Sequence, residues 1–147
     1  MTGSSLEDSV RRLLADHVRP ETADIAEQPA DDRHGVIFEI APRNEAAAPM
    51  AVHIAGPDEI EVTVGIASTF GYSSSDEEEL LDAVADVVDA VVAGGFSEET
   101  WVRGEVATKA HGEVRTNNRT IKARYRNMAI RGRGKTVHDS RSYAAYS

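Results

Sequence analysis

Apolar residues recur at helical spacing near the start of the chain. Leu6, Val10, Leu13, Leu14 and Val18 fall on one face of a helix, so a first helix is predicted over residues 6–18. Ser4 and Ser5 precede it as candidate caps. Pro20 ends the helix, because proline cannot continue the hydrogen-bonded ladder.

The second predicted helix follows Ser75. Ser75 and Glu78 make a capping box, and the acidic run 76–79 lies at the positive end of the helix dipole. Gly94 and Gly95 end the helix. Its apolar face comprises Leu81, Val84, Val88, Val91 and Val92, so the acidic residues on the other side are expected to face solvent.

Between the two helices the apolar residues alternate, which indicates strands. Three strands are predicted, around Val36–Ile40, Val52–Ile54 and Ile60–Ile66. The last of these has the clearest pattern of one buried and one solvated face. The preceding segment, residues 21–33, is acidic and contains Pro29, so it is predicted to be a loop.

After the second helix, residues 101–130 have the character of a long β-hairpin. The turn is placed at residues 116–119, because Asn117 and Asn118 tolerate a positive φ. That turn fixes the register, with apolar pairs on one face: Val114 with Ile121, Gly112 with Ala123, and Ala110 with Tyr125. The opposite face is predominantly basic.

These elements predict an α+β fold of order α-βββ-α-ββ, with both helices on one face of an antiparallel sheet. The 147 residues are expected to form one domain. About residues 131–147 are a candidate flexible or partly ordered tail, and for the last dozen or so residues the sequence leaves a tail, a strand and a short helix open.

Composition argues against several function classes. The chain has no cysteine, so it has no thiolate nucleophile and cannot form a sulfur-ligated zinc site. It shows no signal-peptide pattern and no apolar run of membrane-spanning length, and a cytoplasmic location is expected. The five histidines are widely scattered, and the sequence ending in Lys135-Thr136 lacks the first glycine of a phosphate-binding loop. We therefore expect no catalytic residues, metal site or cofactor.

Charge is divided unevenly along the chain. Residues 1–101 hold 22 Asp and Glu against 5 Lys and Arg, a balance of −17, whereas residues 102–147 hold 3 against 11, a balance of +8. One interpretation is that the acidic part folds against the basic part. The other is that the basic part forms a binding face, although the total of −9 argues against nucleic acid.

The outward face of the predicted hairpin is the candidate binding site. If no bulge intervenes, side-chain alternation places basic, aromatic and methionine residues together there, a composition typical of interface centres. A contact with another polypeptide or with a second copy of the chain is predicted for Trp101, Arg103, Lys109, His111, Arg115, Lys122, Arg124, Arg126, Met128 and Ile130.

The predicted order over about residues 6–130 resembles the bacterial secretion-chaperone fold, whose members bind partner polypeptides and often dimerise. The Ala-, Val-, Asp- and Arg-rich composition is similar to that of small actinobacterial proteins, which include immunity proteins that neutralise a toxin. These resemblances imply a non-enzymatic protein-binding module, chaperone-like or immunity-like. Two alternatives remain: a binder of an anionic ligand through the basic hairpin, and an enzyme without a recognisable motif.

Overall fold

A computed structural model describes residues 5–29, 35–104, 106–116, 118–126 and 135–147. Within these residues the chain forms two helices and nine strands. Their order is α1 (Ser5–His17), β1 (Ala23–Pro29), β2 (Val36–Pro42), β3 (Met50–Gly56), β4 (Glu59–Val64), β5 (Ser68–Ser73), α2 (Glu77–Val92), β6 (Phe96–Arg103), β7 (Val106–Arg115), β8 (Thr120–Arg126) and β9 (Thr136–Ser142).

The strands form two antiparallel sheets. The first sheet has the order β1-β2-β3-β4-β5, and the second has the order β8-β7-β6-β9. The predicted α+β fold of order α-βββ-α-ββ is therefore wrong. The described chain is mostly β, with the order α-βββββ-α-ββββ.

Two of the missed strands belong to the first sheet and lack an alternating apolar pattern. The edge strand β1, predicted to be a loop, buries only Ala23 and exposes its other six residues. Strand β5 is made of Ser, Thr, Gly and aromatic residues, and it pairs along its whole length with β4. Both strands are held by backbone pairing to a neighbour, which leaves little trace in side-chain hydropathy.

In the second sheet, a turn and a strand were missed. Gly104 adopts a φ of +66°, which glycine can do without steric strain because it has no Cβ. The chain reverses direction there between β6 and β7. Near the end of the chain, β9 takes up residues 136–142 and pairs with β6. All seven residues of β9 are exposed, so the strand has no apolar face to reveal it.

The helices and the inner faces of both sheets share one hydrophobic core. Helix α1 contributes Leu6, Val10, Leu14 and Val18 to this core, as predicted. Helix α2 begins as predicted, but its cap is Asp76 rather than Ser75, since the Asp76 side chain accepts hydrogen bonds from the amides of residues 78 and 79. The buried face of α2 consists of Leu80, Val84, Val87, Val88, Ala90 and Val91, so Leu80 takes the place predicted for Leu81.

The register predicted for the hairpin of β7 and β8 is confirmed. Val114 pairs with Ile121, Gly112 with Ala123 and Ala110 with Tyr125. The Thr116 amide donates to the Arg119 carbonyl at 2.9 Å, which places the turn where the sequence indicates it. Between β6 and β7, however, the register shifts after Trp101, so Ala107 lies opposite Val102. The bulge-free alternation assumed for the outward face of the hairpin is therefore broken there.

The last residues pack against the body of the protein. Tyr146 is 2% exposed, and its hydroxyl donates to the Ala48 carbonyl at 2.6 Å. Its amide donates to the Val92 carbonyl, and the Ala144 amide donates to the Ala46 carbonyl. These bonds join the end of α2 to the loop before β3, so residues 143–146 stabilise the core rather than form a tail.

Burial raises the pKa of the two tyrosines near the end of the chain. Desolvation raises the pKa of Tyr143 to about 12, with a further contribution from the nearby Glu98 carboxylate, and desolvation raises the pKa of Tyr146 further still. In the unfolded chain a tyrosine ionises near a pKa of about 10. Because the folded state holds these protons more tightly, their contribution to stability is complete below pH about 10 and is lost as pH rises through the folded pKa.

We therefore expect the urea midpoint of unfolding to fall steeply above pH about 10. Tyr143→Phe and Tyr146→Phe should each reduce this fall relative to the parent, because phenylalanine has no proton to lose. Urea denaturation of the three proteins at neutral and alkaline pH measures the difference. If the parent and both variants lost stability in parallel, the two tyrosines would not be the cause.

Candidate functional site

The outer face of the second sheet presents its side chains in three transverse rows that are set by the strand register. The rows run across β9, β6, β7 and β8. They are Ser142, Ser97, Glu113 and Lys122; then Ser140, Glu99, His111 and Arg124; then His138, Trp101 and Lys109, with the backbone of Arg126 paired beyond Lys109. We call this surface the outer face.

A groove of about 340 Å³ crosses the first two rows. All eight residues of those rows line it, and Glu98, Gly112, Ala123 and Arg141 complete its lining. The residues that the first two rows contribute are half-buried or exposed. The groove is therefore accessible over its length and crosses all four strands.

The third row holds an aromatic cluster beside the groove. The Trp101 ring stacks on His138 at 4.6 Å between centroids and meets the edge of His111 at 5.1 Å. The Lys109 ammonium lies 4.5 Å from the Trp101 ring centroid, within the range of a cation–π interaction. His138 Nε2 in turn lies 2.8 Å from a Glu99 carboxylate oxygen. These contacts hold the half-buried indole in one position.

Charges of both signs line the groove. Lys122 and Arg124 on β8 supply positive charge, and among the described residues neither forms an ion pair. Glu113 lies directly across from Lys122 in the register, and Glu99 is engaged with His138. The outer-face rows thus carry hydroxyl groups on β9, carboxylates on β6 and β7 and cationic groups on β8, and Arg141 adds a further cation at the β9 side of the lining.

The structure brings together five of the ten residues predicted from the sequence. Trp101, Lys109, His111, Lys122 and Arg124 share the outer face. Arg115 lies at the far end of β7 and lines a different cavity.

The other predicted residues contribute less to the described site. Arg103 lies beyond Trp101, where its guanidinium donates to the Thr136 hydroxyl at 3.2 Å. The backbone of Arg126 pairs with Lys109 at the end of the third row. Met128 and Ile130 lie outside the described residues.

Sequence reasoning missed the contribution of β9 to this surface. His138, Ser140 and Ser142 border the cluster and the groove, and Arg141 joins the lining. Their alternation with other polar residues carries no hydropathy signal, because the strand is exposed on both sides.

A second cavity, of about 600 Å³, lies between the last turns of α2 and the tip of the hairpin. It is lined by Asp86, Asp89, Ala90, Ala93, Arg115, Thr116, Asn118 and Arg119. The Arg119 guanidinium binds the Asp86 carboxylate at 2.6 Å, and His17 binds Asp89 at 2.5 Å. Three of its four charged side chains, Asp86, Asp89 and Arg119, are therefore paired within the protein, which makes it a weaker candidate than the groove.

Glu98 is a buried carboxylate that links the two sheets. It is 3% exposed and accepts hydrogen bonds from the amides of Ile66, Ala67 and Ser68 at 2.9–3.0 Å and from the Ser68 hydroxyl at 2.6 Å. The Tyr143 hydroxyl lies 3.3 Å from the same carboxylate. With its lone pairs occupied by the turn between β4 and β5, Glu98 stabilises the fold rather than offering a free base.

The described residues show neither a metal-binding cluster nor a membrane-spanning helix. They contain no group of three or more His, Asp or Glu side chains that could hold a metal ion. Among them, neither helix has the length and apolar composition needed to cross a membrane.

Comparison with known protein families, with curated proteins and with solved structures finds no match for this chain. Function is therefore inferred from the geometry and charge of the outer face.

Proposed function

We propose that the protein is a non-enzymatic polypeptide-binding module whose binding surface is the outer face of the second sheet. The observation that carries this proposal is the accessible groove beside the Trp101 cluster. A tryptophan held by its neighbours, next to arginine and lysine side chains, has the composition of an interface centre. The module would act as a chaperone-like or immunity-like protein in the cytoplasm, a location that the lack of cysteine favours.

The mixed charge of the groove favours a polypeptide over a polyanion. A ligand lying across the four strands meets Lys122 and Arg124 at one side but Glu113 and Glu99 further in. A uniformly anionic ligand would be repelled by the two carboxylates, whereas a polypeptide can present acidic groups to β8 and polar or basic groups to β6. The preferred partner segment therefore carries its acidic residues on the side that meets β8.

The alternative function, binding of a small anionic ligand, is favoured by a specific observation. Lys122 and Arg124 have no ion-pair partner among the described residues, and Arg141 joins the same lining. An anionic ligand would bind in a strongly salt-dependent manner, and it would bind more tightly after Glu113→Gln removes the opposing carboxylate. A polypeptide partner that pairs a basic group with Glu113 would lose affinity with the same variant.

Site-specific photo-crosslinking tests the proposed surface. A photoreactive phenylalanine analogue at Ser97, within the groove, should give an adduct of one discrete mass in the native host. The matched control carries the analogue at Asp82 on the exposed side of α2. Mass spectrometry then identifies the polypeptide, and its binding to the purified protein is measured by calorimetry.

For that identified polypeptide we expect Trp101→Ala to weaken binding by about 5- to 1,000-fold, because truncation of an interface tryptophan costs about 1–4 kcal/mol. Lys122→Glu should also weaken it, while Asp82→Ala should leave the affinity unchanged. Circular dichroism melts establish that each variant is folded. Unaltered affinity in both Trp101→Ala and Lys122→Glu would exclude the outer face as the binding surface.

A further inference from the structure

The two sheets have four edge strands, and three of these are protected against pairing with another chain. Strand β1 ends in Pro29, and its Glu27 is bound by Arg11 of α1. Strand β5 lies beside β8, and β8 carries the cationic side chains of Lys122 and Arg124. Proline, charge and coverage are the usual means by which proteins block edge strands.

Among the described residues, strand β9 has neither proline nor coverage, and it carries no net charge from Asp and Arg. It forms the edge of the second sheet beyond β6, and all seven of its residues are exposed. It contains no proline and no lysine, and its two charged side chains, Asp139 and Arg141, lie 3.3 Å apart and balance each other. Its Val137 is 62% exposed, more than any other large apolar residue among those described. An edge with these properties is a template for a further strand.

The backbone pairing identifies which residues direct polar groups to the open edge. The Tyr143 amide donates to the Phe96 carbonyl at 3.1 Å, so these two residues form a hydrogen-bonded pair. In an antiparallel ladder such pairs recur at every second residue, which directs residues 141, 139 and 137 toward β6. His138, Ser140 and Ser142 therefore direct their N–H and C=O groups away from β6.

We propose that β9 pairs in antiparallel fashion with β9 of a second copy of this chain, about a two-fold axis at Ser140. In this register Ser140 faces Ser140 of the second copy, and His138 faces Ser142. Asp139 then lies opposite Arg141 of the second copy, and the symmetry produces this pair twice. Val137 falls opposite Tyr143 of the second copy, which covers the exposed apolar side chain.

Charge selects this register over its nearest competitor. A register shift of two residues would place the two-fold axis at Asp139 and set the two Asp139 carboxylates directly against each other. Opposite charges across a strand pair stabilise it, whereas like charges destabilise it, each by about 0.2–1 kcal/mol. Asp139 and Arg141, which form an ion pair within one β9, can thus also pair between two copies.

The resulting dimer joins two four-stranded sheets into one of eight strands and places the two outer faces side by side. This inference does not rest on the proposed function, since it uses the backbone groups at the open edge of β9, although Ser140, Arg141 and Ser142 also line the groove. A single strand pair is smaller than a standard interface, so we expect dissociation in roughly the micromolar range.

Disulfide trapping tests the register, and the absence of native cysteine makes the result unambiguous. Ser140→Cys should form a covalent dimer under mild oxidation, because opposed residues of a hydrogen-bonded pair are about 5.5 Å apart between Cα atoms, within the range that a disulfide spans. Ser142→Cys, on the same strand and face, is the matched control. It should not cross-link, because it lies about 13 Å from its own copy.

A charge exchange provides the second test, with sedimentation velocity at several concentrations as the measurement. Asp139→Arg and Arg141→Asp should each raise the dimer dissociation constant about 10-fold, because each converts both attractive pairs into repulsive ones. The double variant should restore it to within about 3-fold of the parent. A parent protein that stays monomeric at high concentration, equal trapping of both cysteine variants, or a double variant as weak as the single ones would each overturn the proposal.

Discussion

Replacing Val88 with aspartate is expected to leave the protein unfolded at room temperature. Val88 is 0% exposed on the buried face of α2, in the core shared by the two sheets. The described core offers the new carboxylate only apolar neighbours, so it would be buried without a partner or would be neutralised at a high cost. The cost is on the order of several kcal/mol, which is comparable to the whole stability of a typical domain.

Val106→Asp is the matched control, since it makes the same exchange at a residue that is 45% exposed. Its unfolding free energy should stay within about 1 kcal/mol of the parent, because surface exchanges have small effects. Thermal melts followed by circular dichroism compare the three proteins. A Val88→Asp variant that melted with the parent would place the core on another face of α2.

The second large effect is expected for Glu98→Ala. This substitution removes the acceptor of three amides and one hydroxyl in the turn between β4 and β5. Each buried donor left without an acceptor costs about 1–3 kcal/mol, and part of this is recovered if water enters, so we expect a loss of about 3–5 kcal/mol. Gly65, whose φ is +69°, lies against the same carboxylate, so the substitution also removes a packing contact of this turn.

Glu99→Ala is the control for Glu98→Ala. Glu99 is the adjacent residue, its side chain is 47% exposed, and its carboxylate contacts His138 at the surface. Its removal should cost no more than about 1 kcal/mol, as for other exposed pairs. Chemical denaturation measures both variants. Equal losses for Glu98→Ala and Glu99→Ala would show that the buried hydrogen bonds do not hold the two sheets together.

The two proposals can be separated by experiment. Trp101→Ala changes the centre of the outer face but none of the backbone groups at the open edge of β9. Ser140→Cys and the charge exchange at Asp139 and Arg141 act on that edge. A dimer that persists in Trp101→Ala while partner binding is lost would support both proposals, whereas loss of both properties together would indicate that binding requires the dimer.

Elements with a strong local pattern could be predicted from the sequence. The apolar spacing of Leu6, Val10 and Leu14 determines α1, and the acidic start and double glycine bound α2. The register of β7 and β8 follows from a two-residue turn, because a short turn fixes every pair beyond it. The same register correctly predicted that Lys109, His111, Lys122 and Arg124 share a face.

Elements that depend on distant partners were decided by the tertiary structure alone. Strands β1, β5 and β9 exist because β2, β4 and β6 offer them backbone hydrogen bonds, and such pairing requires no particular side-chain pattern. The groove needs β9 beside β6, and the Trp101 cluster needs His138 from the same strand. Local patterning thus determined the helices and one hairpin, whereas long-range backbone pairing, which hydropathy does not record, determined the sheets and the site.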